Sequence, residues 1–232
     1  MQATEHQGKS LKYMAVEPDG FDRDHQYPLV ILLHGFGASM LDLVSLCRSI
    51  HPSGYVYICP NAPLEVSVEV GMTGYAWMPP GDSRTPEDAD RSDELLSTLF
   101  DEVIERYGVA PGQAILGGFS QGGMMTYRCG LTNPFTFRGL VVLSGRVPDP
   151  DGLRSRLPPI RSQRIFVAHG AMDSLISVAD ARESRDFLKA EEYRPEYKEY
   201  AMGHEINQDV LGDLVAWINE VLPPAVPAPA TE

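Results

Sequence analysis

The stretch Ala114-Ile115-Leu116-Gly117-Gly118-Phe119-Ser120-Gln121-Gly122-Gly123-Met124-Met125 decides how this chain is read. Its first residues, Ala114 to Leu116, form a short apolar run of the kind that becomes a strand buried on both faces. From Gln121 to Cys129 the pattern turns helical. Between them lies Gly118-x-Ser120-x-Gly122, which sets a serine on a sharp strand-to-helix turn. Such a turn needs small neighbours where the backbone passes close to itself, and Gly118, Gly122 and Gly123 supply them. A helix N-terminus offers free N–H groups and the positive end of its dipole, which favour negative charge developing next to the serine. A glycine-rich packing turn with no chemistry would use the same residues, so the rest of the chain has to separate the two readings.

Outward from this turn, Leu29–Leu33, Tyr55–Cys59, Leu140–Leu143, Ile165–Ala168 and Glu196–Tyr200 read as further strands. Helical patterns lie between and after them. In Asp93–Tyr107, Leu96, Leu99, Val103 and Tyr107 share one face, and Gly108 offers a stop. Ile206–Leu222 repeats Ile206, Val210, Leu214, Trp217 and Val221 and ends at Pro223. Ser39 is placed to cap a helix carrying Leu43, Leu46 and Ile50. Strand and helix alternate from Leu29 onward, which predicts an α/β fold, a mostly parallel central sheet flanked by helices on both faces through right-handed crossovers. Asn61 to Asp88 breaks the rhythm, being apolar but without helical period, and a segment of this kind in a compact domain is often functional. We expect one domain over residues 1–222 and a disordered Pro/Ala-rich tail over 223–232.

Composition excludes several functions. With 32 acidic against 19 basic side chains the net charge is -13, which argues against nucleic acid because phosphate binding needs clustered Lys and Arg. Cys47, Cys59 and Cys129 lack metal-ligand spacing and sit in apolar or helical stretches, as reduced buried thiols do. No stretch has the length of a membrane span and residues 1–10 lack a signal peptide's apolar run, so a cytoplasmic protein is expected.

A serine hydroxyl is a poor nucleophile near neutral pH. It needs an imidazole to take its proton and a carboxylate to orient that imidazole. On a strand-turn-helix scaffold of this kind the order is Ser, then Asp or Glu, then His. Only His169 and His204 follow Ser120. His204 lies between the strand ending at Tyr200 and the last helix, whereas His169 ends a buried strand and suits a structural task. Asp173, in the short loop after the Ile165–Ala168 strand, is the matching carboxylate; Asp149 and Asp151 compete from what reads as an exposed turn. The oxyanion of acyl transfer needs two N–H donors. We assign them to Gln121, next to the serine, and to Phe36 in His34-Gly35-Phe36-Gly37, the glycine-bearing loop that follows the Leu29–Leu33 strand.

These residues resemble the phospholipase/carboxylesterase family of α/β-hydrolases, which includes bacterial carboxylesterases and acyl-protein thioesterases. The markers are His34-Gly35-Phe36-Gly37, Asn61-Ala62-Pro63, Trp77, Gly118 to Gly123, Leu143-Ser144-Gly145, His169-Gly170 before Asp173, and Gly203-His204. The resemblance implies an α/β-hydrolase fold without a large cap domain, a Ser120, Asp173 and His204 triad, and Phe36 and Gln121 as the oxyanion hole. The chain departs from the family's pattern at Ala38-Ser39-Met40 and at Ile176-Ser177. The expected activity is cleavage of carboxylic esters of small to medium acyl chain, with lysophospholipase or acyl-protein thioesterase as the alternative and a non-catalytic binding protein as a distant one. Met72, Tyr75, Trp77 and Met124 are the expected pocket residues. The expected partner is a small-molecule ester or thioester, with no cofactor or metal. Both a monomer and a homodimer are compatible with the sequence.

Overall fold

The computed structural model describes residues 1–69, 71–81 and 85–225. Its strands are β1 (Gln2–Gln7), β2 (Lys12–Glu17), β3 (Leu29–Leu33), β4 (Val56–Pro60), β5 (Leu64–Glu69), β6 (Met72–Ala76), β7 (Ala114–Phe119), β8 (Phe137–Leu143), β9 (Arg164–Gly170) and β10 (Glu196–Tyr200). Its helices are α1 (Val44–Ile50), α2 (Pro86–Tyr107), α3 (Gln121–Met125), α4 (Pro150–Arg156), α5 (Val178–Ala190) and α6 (Gln208–Val221).

Eight strands form one sheet in the order β1-β2-β4-β3-β7-β8-β9-β10. From β4 through β10 every neighbouring pair in this sheet is parallel, so the loops after those strands gather along one edge. Side chains alternate between the faces, as strand geometry requires. Leu29, Ile31 and Leu33 pack with Leu96, Leu99 and Val103 of α2 and Leu188 of α5, while Val30 and Leu32 pack with Cys47 and Ile50 of α1 and Val210, Leu214 and Trp217 of α6. Helices therefore cover both faces, and no large cap domain is inserted among the described residues.

Several expectations need correcting. The sheet begins before Leu29, because β1 and β2 add antiparallel strands at one edge. The helix expected from Asp93 starts at Pro86, after a capping box in which Thr85 and Asp88 satisfy each other's backbone N–H groups. Ser39 does not cap α1, which starts five residues later without a side-chain cap; the Ser39 Oγ accepts Leu41 N–H at 3.3 Å in the preceding turn. The helix expected over Gln121–Cys129 is α3 followed by a π-helical turn, Thr126–Gly130. The segment from Asn61 is not irregular throughout, since β5 and β6 pair as an antiparallel hairpin. Of the expected tail, residues 226–232 lie outside the described residues; Ala225 N–H donates to Gly54 O at 2.9 Å.

Candidate active site

Ser120 sits between β7 and α3 with φ 54° and ψ -116°, a left-handed conformation that costs a non-glycine residue about 1–3 kcal/mol. Two neighbours have no room for a side chain. A Cβ on Gly122 would collide with the Leu33 carbonyl, and one on Gly118 with the Gly122 backbone. The turn is anchored on both sides, with Ser120 N–H donating to Leu143 O at 2.9 Å and Met124 N–H to Ser120 O at 3.1 Å.

Asp173 and His204 come together from separate loops. His204 Nδ1 lies 2.7 Å from Asp173 Oδ2, and the carboxylate is fully buried. Asp173 Oδ1 accepts the N–H groups of Leu175 and Ile176, each at 2.9 Å. Burial alone would raise the Asp173 pKa, but the His204 hydrogen bond and these two N–H groups outweigh it and hold the carboxyl below its ordinary value. An ionised carboxylate only accepts, so His204 Nδ1 carries the proton and Nε2 keeps its lone pair. The Phe119 ring stands 4.9 Å from the His204 ring, which places the imidazole beside the serine turn. Asp149 and Asp151 are occupied elsewhere. Asp149 caps α4 by accepting from Gly152 N–H, and Asp151 pairs with Arg154. His169 is fully buried, with Nε2 2.9 Å from Ile176 O and 3.4 Å from Asp173 Oδ2, so it steadies the loop that carries Asp173.

The loop after β3 is held by polar contacts. Ala62 N–H donates to His34 Nε2 at 3.1 Å, so the proton of the neutral ring is on Nδ1 and donates to Gly35 O at 2.7 Å. Burial lowers the His34 pKa to about 4, with the Gly35 hydrogen bond opposing it. Gly37 N–H pairs with Tyr75 O, and Tyr75 N–H with Ala38 O, pinning the β5–β6 hairpin to this loop. Among the described residues, the N–H groups of Phe36 and Gln121 meet no protein acceptor.

The four expected pocket residues fall into different surroundings. Met72 is exposed and Tyr75 half-buried on β6, while Met124 is buried in α3. Trp77 has no exposed surface: its N–H donates to Gln121 Oε1 (2.7 Å), its Nε1 to His34 O (2.9 Å), and its carbonyl accepts from Ser92 Oγ (2.5 Å). Its ring is a brace between loops rather than an open wall. Sequence reasoning missed the Gln121 side chain, which holds Trp77 N–H and also donates to Met78 O at 2.8 Å. Ser144, in the marker Leu143-Ser144-Gly145, is buried at the end of β8 and also has positive φ, 50°. Met78 borders a cavity of about 430 Å³ shared with Ala89, Arg128, Pro148 and Arg156.

The family profile described as phospholipase/carboxylesterase matches residues 18–222. The chain belongs to the phospholipase/carboxylesterase family. Membership makes it an ester-cleaving serine hydrolase by class. Among its relatives, acyl-protein thioesterase 1 of Mycosarcoma maydis is 27% identical over 84% of this chain and 91% of its own length. Acyl-protein thioesterase 1 of Cryptococcus neoformans var. neoformans is 30% identical over 77% of this chain and 78% of its own length. A solved carboxylesterase from Mesorhizobium loti superposes with TM-score 0.78 over 94% of this chain and 99% of that one; at 16% identity that likeness concerns the fold. Among the described residues no helix is long and apolar enough to cross a membrane.

Proposed function

We propose that this family member hydrolyses carboxylic esters of small to medium acyl chain through a Ser120, His204 and Asp173 triad. The observation that carries the reading is the 2.7 Å Asp173–His204 pair set beside the strained serine turn. With Nδ1 committed to Asp173, His204 Nε2 takes the proton from Ser120 Oγ as that oxygen attacks the acyl carbonyl. The tetrahedral oxyanion is received by the N–H groups of Phe36 and Gln121, and removing one such donor typically costs about 10²–10³ in rate. His204 returns its proton to the leaving alkoxide. It then draws a proton from water, which attacks the acyl-enzyme, and returns that proton to Ser120 Oγ as the acyl–oxygen bond breaks and the acid leaves.

The acyl part is assigned to the cavity beside Met78. Gln121 supports this placement, because its main chain flanks the serine while its side chain holds the Met78 carbonyl. The polar share of that lining, Thr85, Asp90, Arg128, Asp149, Ser155 and Arg156, suits a shorter chain better than a long one. Thioester cleavage is the second reading, favoured by the acyl-protein thioesterase names of the relatives.

Labelling with a fluorophosphonate probe, run with rates on p-nitrophenyl esters and matched thioesters of increasing length, tests both. Ser120→Ala abolishes labelling on this reading, and undiminished labelling of that variant would refute the nucleophile assignment. A preference for thioesters at equal chain length would select the second reading.

A further inference from the structure

The two N–H groups assigned to the oxyanion hole stand on separate loops. β3 and β7 pair side by side as far as Leu33 and Gly118, and Phe36 and Gln121 each lie three residues beyond that pair. The loops run close together, since a Cβ on Gly35 would stand 3.4 Å from Ser120 Cβ. Closeness alone does not fix direction. Two donors serve one oxygen only when their loops hold one relative position, and an error of about 1 Å can cost about 10²-fold in rate.

Among the described residues, the hydrogen bonds that cross from Gln121 to the loop after β3 run through Trp77. Its main-chain N–H donates to Gln121 Oε1 at 2.7 Å, and its Nε1–H to His34 O at 2.9 Å. The second contact falls on the His34–Gly35 peptide, next along the chain to the one that carries Phe36 N–H. Gln121 Nε2 donates to Met78 O, and Ser92 Oγ to Trp77 O, which ties the same residue to α2. Trp77, His34 and Gln121 are all buried, so water does not compete for these bonds. An indole turns about only two side-chain bonds and transmits position rather than absorbing it.

We infer that Trp77 is a positioning residue for acyl transfer: it locks the Gln121 and Phe36 donors at the spacing the tetrahedral oxyanion requires, while having no exposed surface to offer a substrate. The inference rests on the ester-hydrolase reading above. It gives the indole a part in the rate that is separate from substrate binding. The oxyanion exists only along the reaction, so loosening the brace lowers kcat and leaves KM in place.

Trp77→Phe keeps a buried aromatic ring and the main-chain bond to Gln121 but removes the Nε1–H that holds His34 O. On p-nitrophenyl acetate, kcat is expected to fall about tenfold or more with KM within about twofold, and fluorophosphonate labelling to slow by the same factor. Trp217→Phe is the control. That indole donates to Glu196 Oε1 at 3.0 Å, and its loss should leave kcat unchanged. The chain has two tryptophans, so either substitution assigns both indole N–H resonances. In the unmodified protein, phosphonylation of Ser120 should move the Trp77 resonance and leave that of Trp217 in place, a measurement that stands even where Trp77→Phe does not fold. Four results would overturn the inference: kcat retained in Trp77→Phe, a loss confined to KM, an equal loss in Trp217→Phe, or a Trp77 resonance unmoved by phosphonylation. Absence of both hydrolysis and labelling in the unmodified protein would instead refute the hydrolase reading, and the inference with it.

Discussion

Asp173 Oδ2 and His204 Nδ1 share a 2.7 Å hydrogen bond across 31 residues of chain, and nothing but the carboxylate's charge distinguishes the acceptor from an amide of the same shape. Asp173→Asn therefore keeps the packing but permits the wrong imidazole tautomer. We expect kcat on a p-nitrophenyl ester to fall by about 10⁴ with the unfolding midpoint little changed. Full activity would move the orienting role elsewhere, with Asp149 and Asp151 the next to be substituted.

The strain at Ser120 gives a prediction about stability alone. Ser120→Gly and Ser120→Ala should both be inactive, but glycine tolerates φ 54° and alanine does not. The glycine variant is expected to be more stable than the alanine variant by about 1–2 kcal/mol in urea denaturation. Equal stabilities would mean that the turn relaxes when the hydroxyl is removed.

Gln121→Leu removes both halves of a buried clamp, leaving Trp77 N–H and Met78 C=O without partners. Each buried orphan costs about 1–3 kcal/mol. A loss of about 2–4 kcal/mol is expected, measured by chemical denaturation. A loss under about 0.5 kcal/mol would show that the loop does not depend on this side chain.

His34 sets an acid limit. Its pKa is about 4 in the fold against an ordinary 6.5, so between these values the unfolded chain binds a proton that the folded chain does not. Stability is then full above about pH 7 and declines as pH falls from 6.5 toward 4, by about 3 kcal/mol in total from this group. Asp173, with its lowered pKa, adds a loss only at still more acidic pH. Denaturation curves between pH 7.5 and 4.5 check the slope, and His34→Gln should flatten it.

Ala89 faces the cavity beside Met78, and Ala89→Leu should narrow it. On the proposed acyl assignment, kcat/KM for the longer p-nitrophenyl esters drops while that for acetate holds. A chain-length profile unaltered by this substitution would place the acyl group elsewhere.

The sequence made the parallel sheet and the adjacency of Asp173 and His204 legible because both follow from local patterns and chain order. Buried parallel strands such as Leu29–Leu33 read as unbroken apolar runs. What escaped was of another kind. β1 is almost wholly exposed, so no hydrophobic alternation announces it. The hairpin did carry a signal, since Leu64, Val66 and Val68 alternate with Glu65, Ser67 and Glu69, but it was masked by the Gly and Pro residues around it. Trp77 among those residues reads as an accessible aromatic. Only the positions of Gln121, His34 and Ser92, each distant in sequence, show that it lies inside.

The β5–β6 hairpin hangs on the loop after β3 by main-chain hydrogen bonds, Gly37 to Tyr75 and Tyr75 to Ala38. This attachment requires Gly74, where a Cβ would collide with the Gly37 carbonyl, and leaves the exposed side chains of the hairpin uninvolved. With Gly37 and Gly74 kept, the hairpin is a replaceable fitting: the exposed side chains of β5 and β6 can be rewritten while the serine turn behind them stays as it is. On the proposed function, substrate range can then be altered at that hairpin without the chemistry having to be rebuilt.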